Sequence, residues 1–218
     1  MVVGCVFYLS FNYSKFSVNE NMRSGNKKSQ LSVYLEAQCG DSTHFLLSQL
    51  KPFWLEFIQS ERIDFEIIPF GKARCVPVVD DFKRRMGKNF FRCVCQHGPE
   101  ECLLNQLMNC VIDELYVPER YFPILFCLQG KMSQEEGVRD CLLPSRELPI
   151  QRLINCGSTI QGRRLLAQAG DKTASLNPKL SFVPWILVDG VRSVDALYNL
   201  KEVLCAKLIP SPRQCNAI

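Results

Sequence analysis

The stretch Leu31-Ser32-Val33-Tyr34-Leu35-Glu36-Ala37-Gln38-Cys39-Gly40-Asp41-Ser42 decides how this chain is read. Leu31, Val33, Leu35 and Ala37 alternate with Ser32, Tyr34 and Glu36, the period of a strand with one apolar face, and the strand is expected to end at Gln38 and Cys39. After Ser42 the period changes. Phe45, Leu46, Leu50, Phe53, Trp54, Phe57 and Ile58 recur at three- and four-residue spacing and predict an amphipathic helix of about four turns, kinked at Pro52, which has no N–H for the ladder. Cys39 is thereby placed where a strand hands over to a helix. The unpaired N–H groups and positive dipole end of a helix start favour the thiolate, which is the nucleophile of disulfide exchange. Asp41 works against this, because a nearby carboxylate disfavours a second negative charge.

Working outward, Ile63, Phe65 and Ile67 alternate with Asp64 and Glu66 in a second strand, stopped by Pro69 and Gly71. Near the other end, Val183 to Val188 is an almost continuous apolar run that reaches the hairpin dipeptide Asp189-Gly190 before Val191 resumes. Val194, Leu197, Tyr198, Lys201 and Leu204 then predict a closing helix with Ser193 as its N-cap. The two ends read as halves of one α/β sheet. A strand, a cysteine and a helix, followed far downstream by Val183-Pro184 and an apolar strand, suggest a thioredoxin-like fold. In that fold a cis proline faces the thiol and the residue before it pairs with an extended substrate. The alternative for Pro184 is a trans proline that opens an edge strand.

Between the halves, Lys72 to Ser181 reads as helices and cysteine-rich loops with little strand character; Leu104, Leu107, Met108, Val111, Ile112 and Leu115 form its clearest helical stripe. Eight of the 12 cysteines fall here, which makes it an insertion stapled by disulfides. Twelve cysteines in 218 residues also point to an oxidising compartment. Met1 to Ser10 offers only a short apolar core without a basic start, so a secreted or lysosomal destination rests on the cysteines more than on a signal peptide. Residues 1–30 are expected to be a leader or flexible segment, with the single glycosylation sequon at Asn12, ahead of one domain at 31–218.

A formal charge of +4, with basic residues scattered, asks for no nucleic-acid partner. The run Lys83, Arg84, Arg85 and Lys88, with Phe82, Phe90 and Phe91 nearby, mixes charge with aromatics as nucleic-acid sites do, but an exposed loop accounts for it more simply. No apolar run approaches the roughly 20 residues of a membrane-spanning helix, so no membrane partner is expected.

The run Cys95-Gln96-His97-Gly98-Pro99-Glu100-Glu101-Cys102-Leu103-Leu104-Asn105-Gln106-Leu107-Met108-Asn109-Cys110 carries a full signature: CQHG, two residues, EC, two residues, N, four residues, C. On it, and on Tyr34 to Ala37, Ile68 to Gly71 and Val183 to Trp185, the chain resembles the gamma-interferon-inducible lysosomal thiol reductase family over about Leu31 to Cys215. The resemblance implies a thioredoxin-like domain with a helical, disulfide-bonded insertion that reduces protein disulfides through a Cys-x-x-Cys pair, without a cofactor. Here Ser42 replaces the second cysteine. A hydroxyl cannot release a mixed disulfide, although it can donate a hydrogen bond to the Cys39 thiolate. Release must come from an external thiol such as cysteine or glutathione, or from a second cysteine of the substrate. The alternative is a catalytically impaired protein that binds or covalently retains its substrates.

Setting aside Cys5 and Cys39 leaves Cys75, Cys93, Cys95, Cys102, Cys110, Cys127, Cys141, Cys156, Cys205 and Cys215, an even number compatible with five structural disulfides of open connectivity. Other readings stand beside these. Cys39 can be half of a structural bridge. Cys93, Cys95, His97 and Cys102 can be drawn as a zinc cluster in a reduced cytosolic protein, but oxidised sulfurs are no ligands, so no metal is expected and His97 reads as a structural hydrogen-bonding residue. His44 can tune the thiolate or simply face solvent, and Glu36 can accept a proton behind Cys39 or occupy a surface or satisfied position.

Overall fold

The computed structural model describes residues 28–78 and 90–216. The sequon at Asn12, Cys5 and the basic residues Lys83, Arg84, Arg85 and Lys88 lie outside them. In chain order, β1 (Ser29–Leu35) leads into α1 (Gly40–Phe45), a π turn (Leu46–Leu50) and α2 (Lys51–Phe57), and β2 (Ile63–Pro69) follows. The insertion comprises the hairpin β3 (Arg74–Pro77) and β4 (Phe91–Val94), then α3 (Pro99–Leu115), α4 (Pro118–Leu128), α5 (Gln134–Gly137), α6 (Ile150–Ser158) and α7 (Ile160–Ala174). β5 (Trp185–Val188), β6 (Val191–Arg192) and α8 (Leu200–Cys205) complete the fold.

The main sheet has the order β2-β1-β5-β6, with β1 parallel to β2 and antiparallel to β5. Both faces of central β1 are covered. Leu31, Val33 and Leu35 pack with Phe45, Phe53 and Phe57, while Tyr34 on the other side packs with Ile68, Phe70, Trp185 and Leu166 of α7. The expected polar face is therefore buried, and Ser32, Tyr34 and Glu36 are out of solvent with Leu35. Alternation describes an antiparallel strand with one wet face, whereas a strand between two helical layers loses that contrast. Each Leu buried here contributes about 1.5–3 kcal/mol.

β1 also begins two residues before the expected domain start. Ser29 and Gln30 are polar but in register with Ile63 and Asp64, and their N–H groups are taken by Arg62 O at 3.0 Å and Asp189 Oδ1 at 2.9 Å. At Pro52 the expected kink takes the form of a widened turn. Lys51 N–H bonds Leu46 O, five residues back, and Pro52 sits in the first turn of α2. Phe53 and Phe57 stack at 4.3 Å and Trp54 meets Phe122 at 5.5 Å, tying α2 to the insertion's α4.

The insertion departs from its reading by containing the β3–β4 hairpin, where Cys75 lies opposite Cys93. Four residues per strand, one of them Pro77, are too few to show a period of two. Asp189 and Gly190 have φ of 52° and 76°, as a two-residue hairpin requires. The closing helix is split. Ser193 Oγ accepts from Ala196 N–H at 3.3 Å and caps a 3-10 turn (Asp195–Leu197), then Asn199 leaves helical geometry and Leu200 N–H turns to Gln49 Oε1 at 3.3 Å. Among the described residues no helix is long and apolar enough to cross a membrane.

Candidate active site

Cys39 caps α1 in extended conformation, with φ −73° and ψ 125°. Its N–H reaches back to Glu36 O at 3.3 Å, and its carbonyl accepts from Thr43 N–H at 3.0 Å and Thr43 Oγ1 at 2.9 Å. The side chain is half-buried and is the free cysteine among the described residues. Val183-Pro184 is cis and precedes β5 rather than opening it as an edge strand; Val183 O lies 4.0 Å from Cys39 Sγ. The Arg192 guanidinium stacks 3.9 Å from the Trp185 ring and 5.2 Å from that of Phe182, so the residues flanking this turn are held by cation–π contacts.

Ser42, three residues on, is fully buried, and its Oγ accepts from Glu36 N–H at 3.5 Å. The hydrogen bonds of the two side chains thus run elsewhere than to each other. His44 is exposed and, with Asp41, Phe182, Val183, Pro184 and Tyr198, lines a groove of about 190 Å³ beside the cis turn.

Behind Cys39 lies a polar cluster that the sequence reading did not assemble. Gln129 Nε2 is 2.8 Å from Glu36 O, 3.0 Å from Ala37 O and 3.0 Å from Thr43 Oγ1, and Asn105 Oδ1 accepts from Ala37 N–H at 3.0 Å. Two side chains of the insertion thereby satisfy the backbone that carries the thiol. Gln129 is over 90 residues from Glu36, and no local pattern announces such a contact.

Glu36 itself is fully buried, so it occupies neither a surface position nor a wholly satisfied one. Its Oε1 accepts from Lys72 N–H at 2.6 Å, whereas Oε2 has no hydrogen bond and lies 3.8 Å from His97 Nδ1. Burial pushes this carboxyl above the ordinary range and Glu101 adds to the effect, against the lowering pull of Lys72 N–H and His97. Gly71 makes the room. Its φ is +59°, and a Cβ there would stand 2.1 Å from Glu36 Cγ. Glu101, also fully buried, accepts His97 N–H on Oε1 at 3.2 Å and contacts His97 Nδ1 through Oε2.

The sulfurs pair as Cys75–Cys93, Cys95–Cys102, Cys110–Cys156, Cys127–Cys141 and Cys205–Cys215. A zinc cluster of Cys93, Cys95, His97 and Cys102 does not form, because the three sulfurs in it are spent on bridges.

Residues 30–144 match the family described as gamma interferon inducible lysosomal thiol reductase (GILT). A GILT-like protein of Caenorhabditis elegans is 45% identical over 187 residues, which is 86% of this chain and 55% of that protein, so the chain spans about half of its length. A GILT-like protein of Caenorhabditis briggsae is 30% identical over 194 residues, 88% of this chain and 85% of its own. Among solved structures, DsbA of Chlamydia trachomatis superposes with a TM-score of 0.53 at 11% identity, covering 80% of this chain and 85% of its own. That likeness is one of fold, and the fold is thioredoxin-like with a helical, disulfide-rich insertion.

Proposed function

The chain belongs to the gamma-interferon-inducible lysosomal thiol reductase family, and from that premise we propose that it is a thiol–disulfide oxidoreductase in which Cys39 attacks protein disulfides. The Cys39 thiolate displaces one sulfur of the substrate bridge; a Cys39–substrate disulfide forms, and the other substrate sulfur leaves and takes a proton. Ser42 has no sulfur with which to continue. A small external thiol, of the cysteine or glutathione type, then attacks the Cys39 sulfur and frees the second substrate thiol. A second equivalent regenerates Cys39, so two external thiols become one disulfide as the substrate bridge becomes two thiols.

The observation that carries this reading is the half-buried free thiol on an extended helix cap, 4.0 Å from the carbonyl ahead of cis Pro184, in a chain whose other described cysteines are bridged. Val183 would offer its backbone to an extended substrate strand, with Pro184 holding that backbone in place. Five bridges support a secreted or lysosomal setting, since such bridges persist where the surroundings are oxidising.

The test is reduction of a disulfide-linked protein substrate in the presence of free cysteine. The wild-type rate should rise with cysteine and fall to background without it. Cys39→Ala should remove it, and Ser42→Cys should make a single turnover independent of added thiol. Full activity in Cys39→Ala would overturn the proposal. The buried hydroxyl of Ser42 also fits a protein that retains its substrates, and mixed disulfides that millimolar cysteine fails to release would decide for retention.

A further inference from the structure

Glu36 and Glu101 bring two fully buried carboxylates to one point, from the end of β1 and the first turn of α3, and His97 Nδ1 stands against both. Each carboxylate has one oxygen held by backbone, Glu36 Oε1 by Lys72 N–H and Glu101 Oε1 by His97 N–H, which turns the two Oε2 atoms toward the imidazole. Glu36 Oε2 is wholly buried yet lacks any hydrogen bond, a position that costs free energy unless something positive faces it. Lys72 gives Glu36 its backbone N–H and a weaker electrostatic pull from its charge, but among the described residues no lysine or arginine forms an ion pair with either carboxylate.

We propose that Glu36 Oε2, His97 Nδ1 and Glu101 Oε2 form a zinc-binding site, with water in the fourth position. A ligand atom of each of the three residues lies within 4.8 Å of the other two. Carboxylate oxygen and imidazole nitrogen are zinc ligands at about 2.0–2.2 Å, and three protein ligands with one open position is an established arrangement for that ion. The Glu36-to-His97 spacing of 3.8 Å is already near that of two ligands on one ion, while the shorter His97–Glu101 contact must widen to admit zinc. His97 supplies the way in, with 37% of its side chain exposed while both carboxylates are sealed.

The frame is stiff. The Cys95–Cys102 bridge closes the turn that carries His97, Gly98 enters it at φ 103°, and Gly71 leaves the space that Glu36 fills. The site is distinct from the thiol and does not rest on the redox reading. It touches that region through Glu36, whose carbonyl accepts the Cys39 N–H.

The experiment uses the full chain with its disulfides intact and Cys39 alkylated by iodoacetamide, so that the free thiol cannot hold the ion. Zinc chloride is titrated and followed by calorimetry and native mass spectrometry. One zinc per chain is expected. Glu101→Gln should weaken binding at least tenfold, and His97→Gln, a change at the exposed edge that leaves both buried carboxylates in place, should do the same while keeping the wild-type circular dichroism. No stoichiometric zinc, or an affinity indifferent to His97→Gln and to Glu101→Gln, overturns the proposal.

Discussion

Two strand-to-helix junctions in this molecule carry a cysteine, and they use it in opposite ways. At the end of β1, Cys39 caps α1 and keeps its thiol, with Ser42 three residues further on. Just after β4, Cys95 precedes the Gly98 cap of α3 and is bonded to Cys102 in the first turn, with Cα atoms 5.5 Å apart. A helix start is common to both, so that placement alone does not distinguish a reactive sulfur from a staple. What differs is whether a second sulfur stands within the 4.4–6.8 Å Cα range that a bridge can span. The junctions also lean on each other, since Glu36 comes from one and His97 and Glu101 from the other.

The contrast is sharpest in stability. Cys95→Ala/Cys102→Ala should lower the unfolding free energy by about 3 kcal/mol, whereas Cys39→Ala should change it by no more than about 0.5 kcal/mol. Urea denaturation of the oxidised proteins checks this, and equal losses would erase the distinction drawn between the two sulfurs. A smaller effect is expected where the junctions touch. Gly71→Ala places a Cβ against Glu36 in left-handed backbone and should cost about 2 kcal/mol, read from the same curves. A neutral outcome would mean that Glu36 can leave its seat.

The smallest expected effect is on pH dependence. Burial raises Glu36, so the folded chain holds a proton there that the unfolded chain gives up. That stabilisation is complete below the unfolded value of 4.5 and is lost as pH rises through the folded one. With a chelator present, Glu36→Gln should therefore flatten the decline in thermal stability above pH 4.5. An unchanged slope would assign the decline to other groups.

Much of this was readable beforehand because it is local. The period change around Cys39, the dipeptide Asp189-Gly190 and the spacing of Cys95 to Cys110 each lie within a short window, and each marks a feature of the fold. The burial of Glu36 was not readable, because β1 looks half-exposed by alternation until β2 and β5 flank it and helices close both faces. Gln129 and Asn105 reach the Cys39 turn across long separations, where no periodicity survives. The partner of each sulfur is likewise a matter of tertiary distance, and bridges 7 to 46 residues apart leave no spacing rule to follow.

The five bridges are not equally sheltered. Both sulfurs of Cys95–Cys102 and of Cys110–Cys156 belong to buried residues, while Cys75–Cys93 and Cys205–Cys215 join residues that solvent partly reaches. Exchange requires an attacker to approach a sulfur, so a reducing medium would erode this molecule from its rim inward. The β-hairpin and the C-terminal tail would come loose while the helical layer still stood, and that order of wear sets a ceiling on how harsh a milieu the protein can serve in.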